Sequence, residues 1–190
     1  MKTVFFDVDT QLDFLYPAGA LYVPGAETIV KTLAELTNFA AANGIQIIST
    51  MDAHAEDDPE FKTWKPHCVV GTTGQQKAAV TFLNQRSVLG SDGEAKHAPQ
   101  IIVEKQAIDC FSNPNLSPLL ENLRADRFVV YGVATEVCVQ CAAFGLLKTG
   151  ARVEVVSDAI KSLSEAAEGE MIERFQALGG LTVKRSDVLA

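Results

Sequence analysis

Cys138 stands in FVVYGVATEVCVQCAAFGLLKTG, just past a run that reads as a buried strand and inside the first turn of the helix expected to follow. Free backbone N–H groups and the positive end of a helix dipole stabilise a thiolate at such a place. Two further apolar runs end in DVDTQLDF and IIVEK, so a carboxylate and a lysine can meet that sulfur at one edge of a sheet. These groups suit covalent nucleophilic catalysis. Cys138 and Cys141 also make a Cys-x-x-Cys at a helix start, which fits a thiol–disulfide protein as an alternative. A cysteine out of context more often packs as a small apolar side chain, the role expected of Cys141.

Asp52 and His54 close another apolar run, IQIISTMDAH, and His67 follows on a Pro-bounded loop. One carboxylate and two imidazoles can bind Zn, Fe or Mn, although loop spacing leaves the ion open. The plainer reading is a hydrogen-bonded loop anchor with surface histidines.

The elements that must position these groups follow from periodicity. Residues 3–9, 45–52, 101–105, 127–134, 152–159 and 181–186 read as strands, and PGAETIVKTLAELTNFAAANG supplies a helical stripe closed by Asn43 and Gly44. GQQKAAVTFLNQ suggests a short helix, and residues 84–99 a surface excursion. Asn113-Pro114 marks a helix start, Thr135 a cap for the next helix, and Ser162 with Glu165 has capping-box spacing for the last long one. The alternation predicts a three-layer α/β/α fold with a mainly parallel six-stranded sheet, in one domain over residues 1–190. Ligand sites in such sheets lie beyond the carboxyl ends of the strands, where Asp9, Asp52, Lys105 and Ala134 all fall.

Composition narrows the partners. Against 16 Lys and Arg there are 24 Asp and Glu, a formal charge of −8 that disfavours nucleic acid and anionic membrane surfaces. Aspartate interrupts MKTVFFDV before a signal-peptide core forms, and no stretch approaches a membrane span. Cys68, Cys110, Cys138 and Cys141 are too few and irregular for a disulfide scaffold, so a reducing cytoplasm is the expected compartment.

With FFDVDTQLDF, STMDAH, WKPHCVVGT, IIVEK and GVATEVCVQCA in this order, the chain resembles the isochorismatase-like cysteine hydrolases, and within them the nicotinamidase branch. The resemblance implies a catalytic triad of Asp9, Lys105 and Cys138, with Asp9 as proton acceptor. It implies an oxyanion site from the backbone N–H groups of Ala134 and Cys138, beside a cis Val133–Ala134 bond. Phe14 and Trp64 are expected to flank a planar substrate, with Phe111 lining the same pocket. Asp52, His54 and His67 are the implied ligands of a divalent metal (Zn, Fe or Mn), and no organic cofactor is expected. Many nicotinamidases carry another histidine between the last two ligands; AEDDPEFKTW here leaves Asp57 or Asp58 to compensate, or a weaker or absent metal. Lys65 interrupts the Pro-Pro-His form common in the branch, and Glu136 replaces a frequent aspartate. The implied activity is a cysteine amidohydrolase turning nicotinamide and water into nicotinate and ammonia. Alternatives are hydrolysis of another small amide or ureido compound, and a noncatalytic small-molecule binding protein. Relatives of this fold often form dimers or tetramers, so a homodimer or homotetramer is expected.

Overall fold

The computed structural model describes residues 1–94 and 96–190. Among the described residues, seven strands form one parallel sheet in the order β3-β4-β2-β1-β5-β6-β7, comprising β1 (Thr3–Val8), β2 (Gln46–Asp52), β3 (Arg86–Leu89), β4 (Gln100–Lys105), β5 (Arg127–Val133), β6 (Arg152–Lys161) and β7 (Leu181–Val183). Helices α1 (Leu12–Leu15), α2 (Val30–Ala42), α3 (Leu116–Leu123), α4 (Gln140–Leu147), α5 (Glu165–Ala177) and α6 (Arg185–Val188) cover its two faces.

The central strands are apolar on both sides because both sides are covered. On β1, Val4, Phe6 and Val8 pack with Leu120 of α3, Leu146 of α4 and Phe175 of α5. Phe5, pointing the other way, packs with Leu33 and Leu36 of α2 and with Leu15 and Val188. β1 lies between β2 and β5, with β2, β4 and β3 on one side of it and β5, β6 and β7 on the other. The strand order therefore reverses between β1 and β5, where an open α/β sheet leaves a crevice at its carboxyl edge.

β5 must run unusually close to β1 there. Gly132 has φ +123°, and a β-carbon on it would sit 2.0 Å from Val8 O. Only glycine fits both restrictions. The β5–β6 register shifts at the same point, between Val130 and Gly132, and the next peptide bond, Val133–Ala134, is cis.

Five local expectations are corrected. The seventh strand, β3, lies inside residues 84–99; it is an edge strand with Leu89 as its one buried residue, so its apolar signal is weak. Residues 74–85 form no α-helix beyond a 3-10 turn at Ala79–Thr81, because Lys77 bridges Gln11 and Ala78 N donates to Thr10 O (2.9 Å). Ser164, not Ser162, caps α5, accepting from Ala167 N. The segment after β5 begins as a π-turn, Thr135–Val139, with no side-chain cap from Thr135. Asn113 lies short of α3 and spans strand ends instead, donating to Leu89 O (3.2 Å) and Glu104 O (2.8 Å).

Candidate active site

Asp9 leaves β1 at φ +48°, in the left-handed region that a residue with a β-carbon rarely occupies. Its Oδ1 accepts from Thr50 Oγ1 at 2.6 Å, so the end of β2 orients the carboxylate. Lys105, the last residue of β4, reaches across that end. Its Nζ lies 3.0 Å from Asp9 Oδ2, hydrogen-bonds Asp52 Oδ1 and stands 3.7 Å from Cys138 Sγ. Asp9 Oδ2 makes no well-directed hydrogen bond beyond that ionic contact, leaving it an open proton acceptor.

Charge state follows from burial and partners. Burial opposes the Lys105 ammonium, but Asp52 and Asp9 outweigh it and hold its pKa well above the usual range. Burial raises the Asp9 carboxyl against the pull of Lys105. It also pushes the Cys138 thiol well above its ordinary range, opposed by Lys105. Burial, and after it Asp9 and Asp52, thus oppose the thiolate that a helix start would favour, while Lys105 supports it. In metal-free protein the rate of Cys138 alkylation by iodoacetamide should keep climbing through an ordinary thiol pKa near 9. A plateau at acidic pH in mass-resolved kinetics would contradict that protonation state.

The π-turn leaves a further mark. Ala134 O accepts from Val137 N and Val139 N, both at 3.1 Å, and not from Cys138 N. Such π-turns interrupt the helical ladder and concentrate at functional sites.

Beside Lys105, the buried Asp52, His54 and His67 each offer a ligand atom, all within 4.8 Å of one another. His54 Nδ1 is held by Asp58 at 3.0 Å and His67 Nδ1 by Lys65 O at 2.7 Å, which turns both Nε2 atoms inward. His54 Nε2 is buried without a hydrogen-bond partner. The inward atoms lie 3.6–4.0 Å from Asp52 Oδ2 and Glu60 Oε1. A tetrahedral site with bonds of about 2.1 Å has edges of about 3.4 Å, so the set fits a small divalent cation after slight contraction. Glu60 is raised by burial and then by Asp52, as carboxylates sharing one site are. Burial disfavours charge on His54, yet Asp52 and Asp58 hold it up at about 9, so it must release a proton before it can ligate.

Beside Cys138 and His67 runs a narrow slot in which the centre of a water molecule has about 40 Å³ to occupy. Phe14, Leu21, Val23, Trp64, Ile108, Val137 and Leu163 supply apolar walls, with Cys138 and His67 at the polar end.

A model of the isochorismatase domain matches residues 3–187. The chain belongs to the isochorismatase family. Its relatives place it near the nicotinamidase branch. It is 24% identical over 206 residues to a nicotinamidase of Saccharomyces cerevisiae, covering 88% of this chain and 91% of that one. The structure of a pyrazinamidase/nicotinamidase from Streptococcus mutans superposes with a TM-score of 0.81 at 27% identity, covering 96% of this chain and 100% of that one. A pyrazinamidase of Pyrococcus horikoshii in complex with zinc gives 0.81 at 27%, covering 97% and 99%.

Within this isochorismatase-family site, Asp9, Lys105 and Cys138 come together from β1, β4 and the turn after β5. Phe14 and Trp64 line the slot with Ala134 and Cys138. Phe111 does not: its ring packs on Gly145 of α4, where a β-carbon would meet it at 2.0 Å, and it borders a separate groove of about 850 Å³. Ile108 occupies the slot instead. Cys141 also opens to that groove rather than to the slot, so the Cys-x-x-Cys pair is divided between two openings.

Within AEDDPEFKTW, Glu60 rather than Asp57 or Asp58 joins Asp52 in facing both inward imidazole atoms. Asp58 caps the 3-10 turn Pro59–Lys62 by accepting from Glu60 N (2.9 Å), besides bracing His54. Gln11 was also missed. Its amide donates to Asp52 O and Gln75 O and accepts from Asp52 N, each at 2.8 Å, clamping β2 to the turn after β1. A polar residue two positions beyond Asp9 was the available signal.

Proposed function

We propose that the protein is a cysteine amidohydrolase of nicotinamidase type, acting on a small, neutral, planar carboxamide. The observation that carries this reading is a buried Asp9–Lys105–Cys138 set opening into an apolar slot beside two inward-facing histidines.

Asp9 Oδ2 takes the thiol proton as Sγ bonds to the carbonyl carbon. The oxygen that becomes negative is met by the N–H groups of Ala134 and Cys138. Asp9 returns its proton to the amide nitrogen, the C–N bond breaks, ammonia leaves and a thioester remains. Water then attacks the thioester with Asp9 as base, releasing the acid and restoring the thiol. Burial raises the Asp9 carboxyl, which suits a group that must both take and give a proton. Lys105 stays charged and balances Asp9 and Asp52 throughout.

Asp52, His54, His67 and Glu60 are the residues that would hold a divalent ion (Zn, Fe or Mn). When bound, such an ion supplies an anchor for the lone pair of a ring nitrogen. Asp58→Ala removes the brace on His54 Nδ1 and should weaken metal binding roughly 10–100-fold, read by competition with a chelator after Zn, Fe or Mn is restored. Wild-type affinity in that variant would remove the metal assignment.

The slot also selects by charge. Among the described residues lining it there is no Lys or Arg, and Lys105 is already committed to two carboxylates. A carboxylate-bearing ureido substrate would find no cationic side chain in that lining to replace its hydration. The purified protein should therefore release ammonia from nicotinamide with the matching acid, and none from N-carbamoyl amino acids. Turnover of the carbamoyl acids alone would replace this reading with ureido hydrolysis. Binding of nicotinamide without turnover would leave a small-molecule binding protein.

A further inference from the structure

A second buried ion pair lies two residues before Asp9. Lys77 Nζ stands 2.9 Å from Asp7 Oδ2, and both side chains are completely buried. Desolvating such a pair is costly, and two apolar residues of similar volume often hold a fold equally well. What an apolar pair cannot do is hydrogen-bond the neighbouring hydroxyl.

Lys77 Nζ donates to Thr10 Oγ1 at 2.7 Å, and Thr10 Oγ1 faces Asp7 Oδ1 at 2.9 Å and Thr81 Oγ1 at 3.0 Å. The other Asp7 oxygen accepts from Ser49 Oγ at 2.9 Å. Thr10 is thus held through its hydroxyl as well as through its carbonyl, which accepts from Ala78 N. Its preceding neighbour is Asp9, in the left-handed conformation that a β-carbon disfavours. An unpinned turn would relax from that conformation and carry the carboxylate away from Cys138.

We propose that the Asp7–Lys77 pair is a positioning device for Asp9: by pinning Thr10 it keeps the carboxylate aimed at the thiol. The inference rests on the roles given to Asp9 and Cys138 above, and its test is built to fail separately from them. Thr10→Val removes the hydroxyl and keeps the branched shape, while Thr10→Ser keeps the hydroxyl. Asp7→Leu/Lys77→Met removes both charges together, leaving neither unpaired.

In folded Thr10→Val and in the double variant, kcat should fall roughly 10–100-fold with KM unchanged, the cost expected of a misplaced reacting group. Thr10→Ser should restore kcat. Alkylation of Cys138 by iodoacetamide at neutral pH should quicken in the same variants, because a displaced Asp9 no longer opposes the thiolate, and return to the wild-type rate in Thr10→Ser. This second readout needs no amide substrate: quickened alkylation beside an inactive wild type would reject the proposed activity and retain the inference. Wild-type kcat and alkylation rate in folded Thr10→Val overturn it, as does a loss that Thr10→Ser does not restore. If the double variant does not fold, the two Thr10 variants decide alone.

Discussion

Cys138→Ala is expected to fold normally and lose about 10⁴-fold or more of amide turnover, because it deletes the atom that forms the thioester. Alanine suits the helical turn, and the sulfur sits at the slot wall rather than deep in the packing, so thermal unfolding should change little. Cys141→Ala should retain most turnover, since that side chain opens to the groove over α4. Intact-mass analysis during turnover should show an acyl adduct on the wild type and on Cys141→Ala, and none on Cys138→Ala. Full activity in folded Cys138→Ala removes the proposed mechanism. A reaction that needs both cysteines points instead to thiol–disulfide exchange.

The second large effect is at Asp9. Asp9→Asn keeps an oxygen for Thr50 Oγ1 but cannot accept the thiol proton, so kcat should fall roughly 10²–10⁴-fold with KM little changed. Lys105 keeps Asp52 as its counter-charge, which limits the structural cost. Since the first proton transfer is the blocked step, no acyl adduct should accumulate in a rapid-quench experiment. A normal adduct with slow release would confine Asp9 to the hydrolysis of the thioester. Lys105→Met is a poorer probe of chemistry: it leaves Asp9 and Asp52 buried together, a loss of roughly 3–5 kcal/mol in stability of the kind seen when one partner of a buried pair is removed.

Much of this arrangement is visible in the sequence because it rests on short-range rules. Buried parallel strands are continuous apolar runs, and the residue ending each run lies at the sheet's carboxyl edge. That places Asp9, Asp52 and Lys105 on one rim before any coordinates are known. The order β4-β2-β1-β5 then brings together residues as distant as Asp9 and Cys138, and pairing order is a tertiary property.

What the sequence left open depends on direction and burial. AEDDPEFKTW offers several acids, and only the 3-10 turn capped by Asp58 selects Glu60 to face the histidines. Phe111 is an aromatic near a strand end like Phe14, yet its ring lies on Gly145 of α4, away from the slot. The state of Cys138 was equally hidden. A helix start by itself favours thiolate, but the folded chain buries the sulfur and sets it near two carboxylates, which raise the thiol against the pull of Lys105. Residue types and strand ends thus established which groups could react, while packing decided where their side chains point and which of them keep their protons.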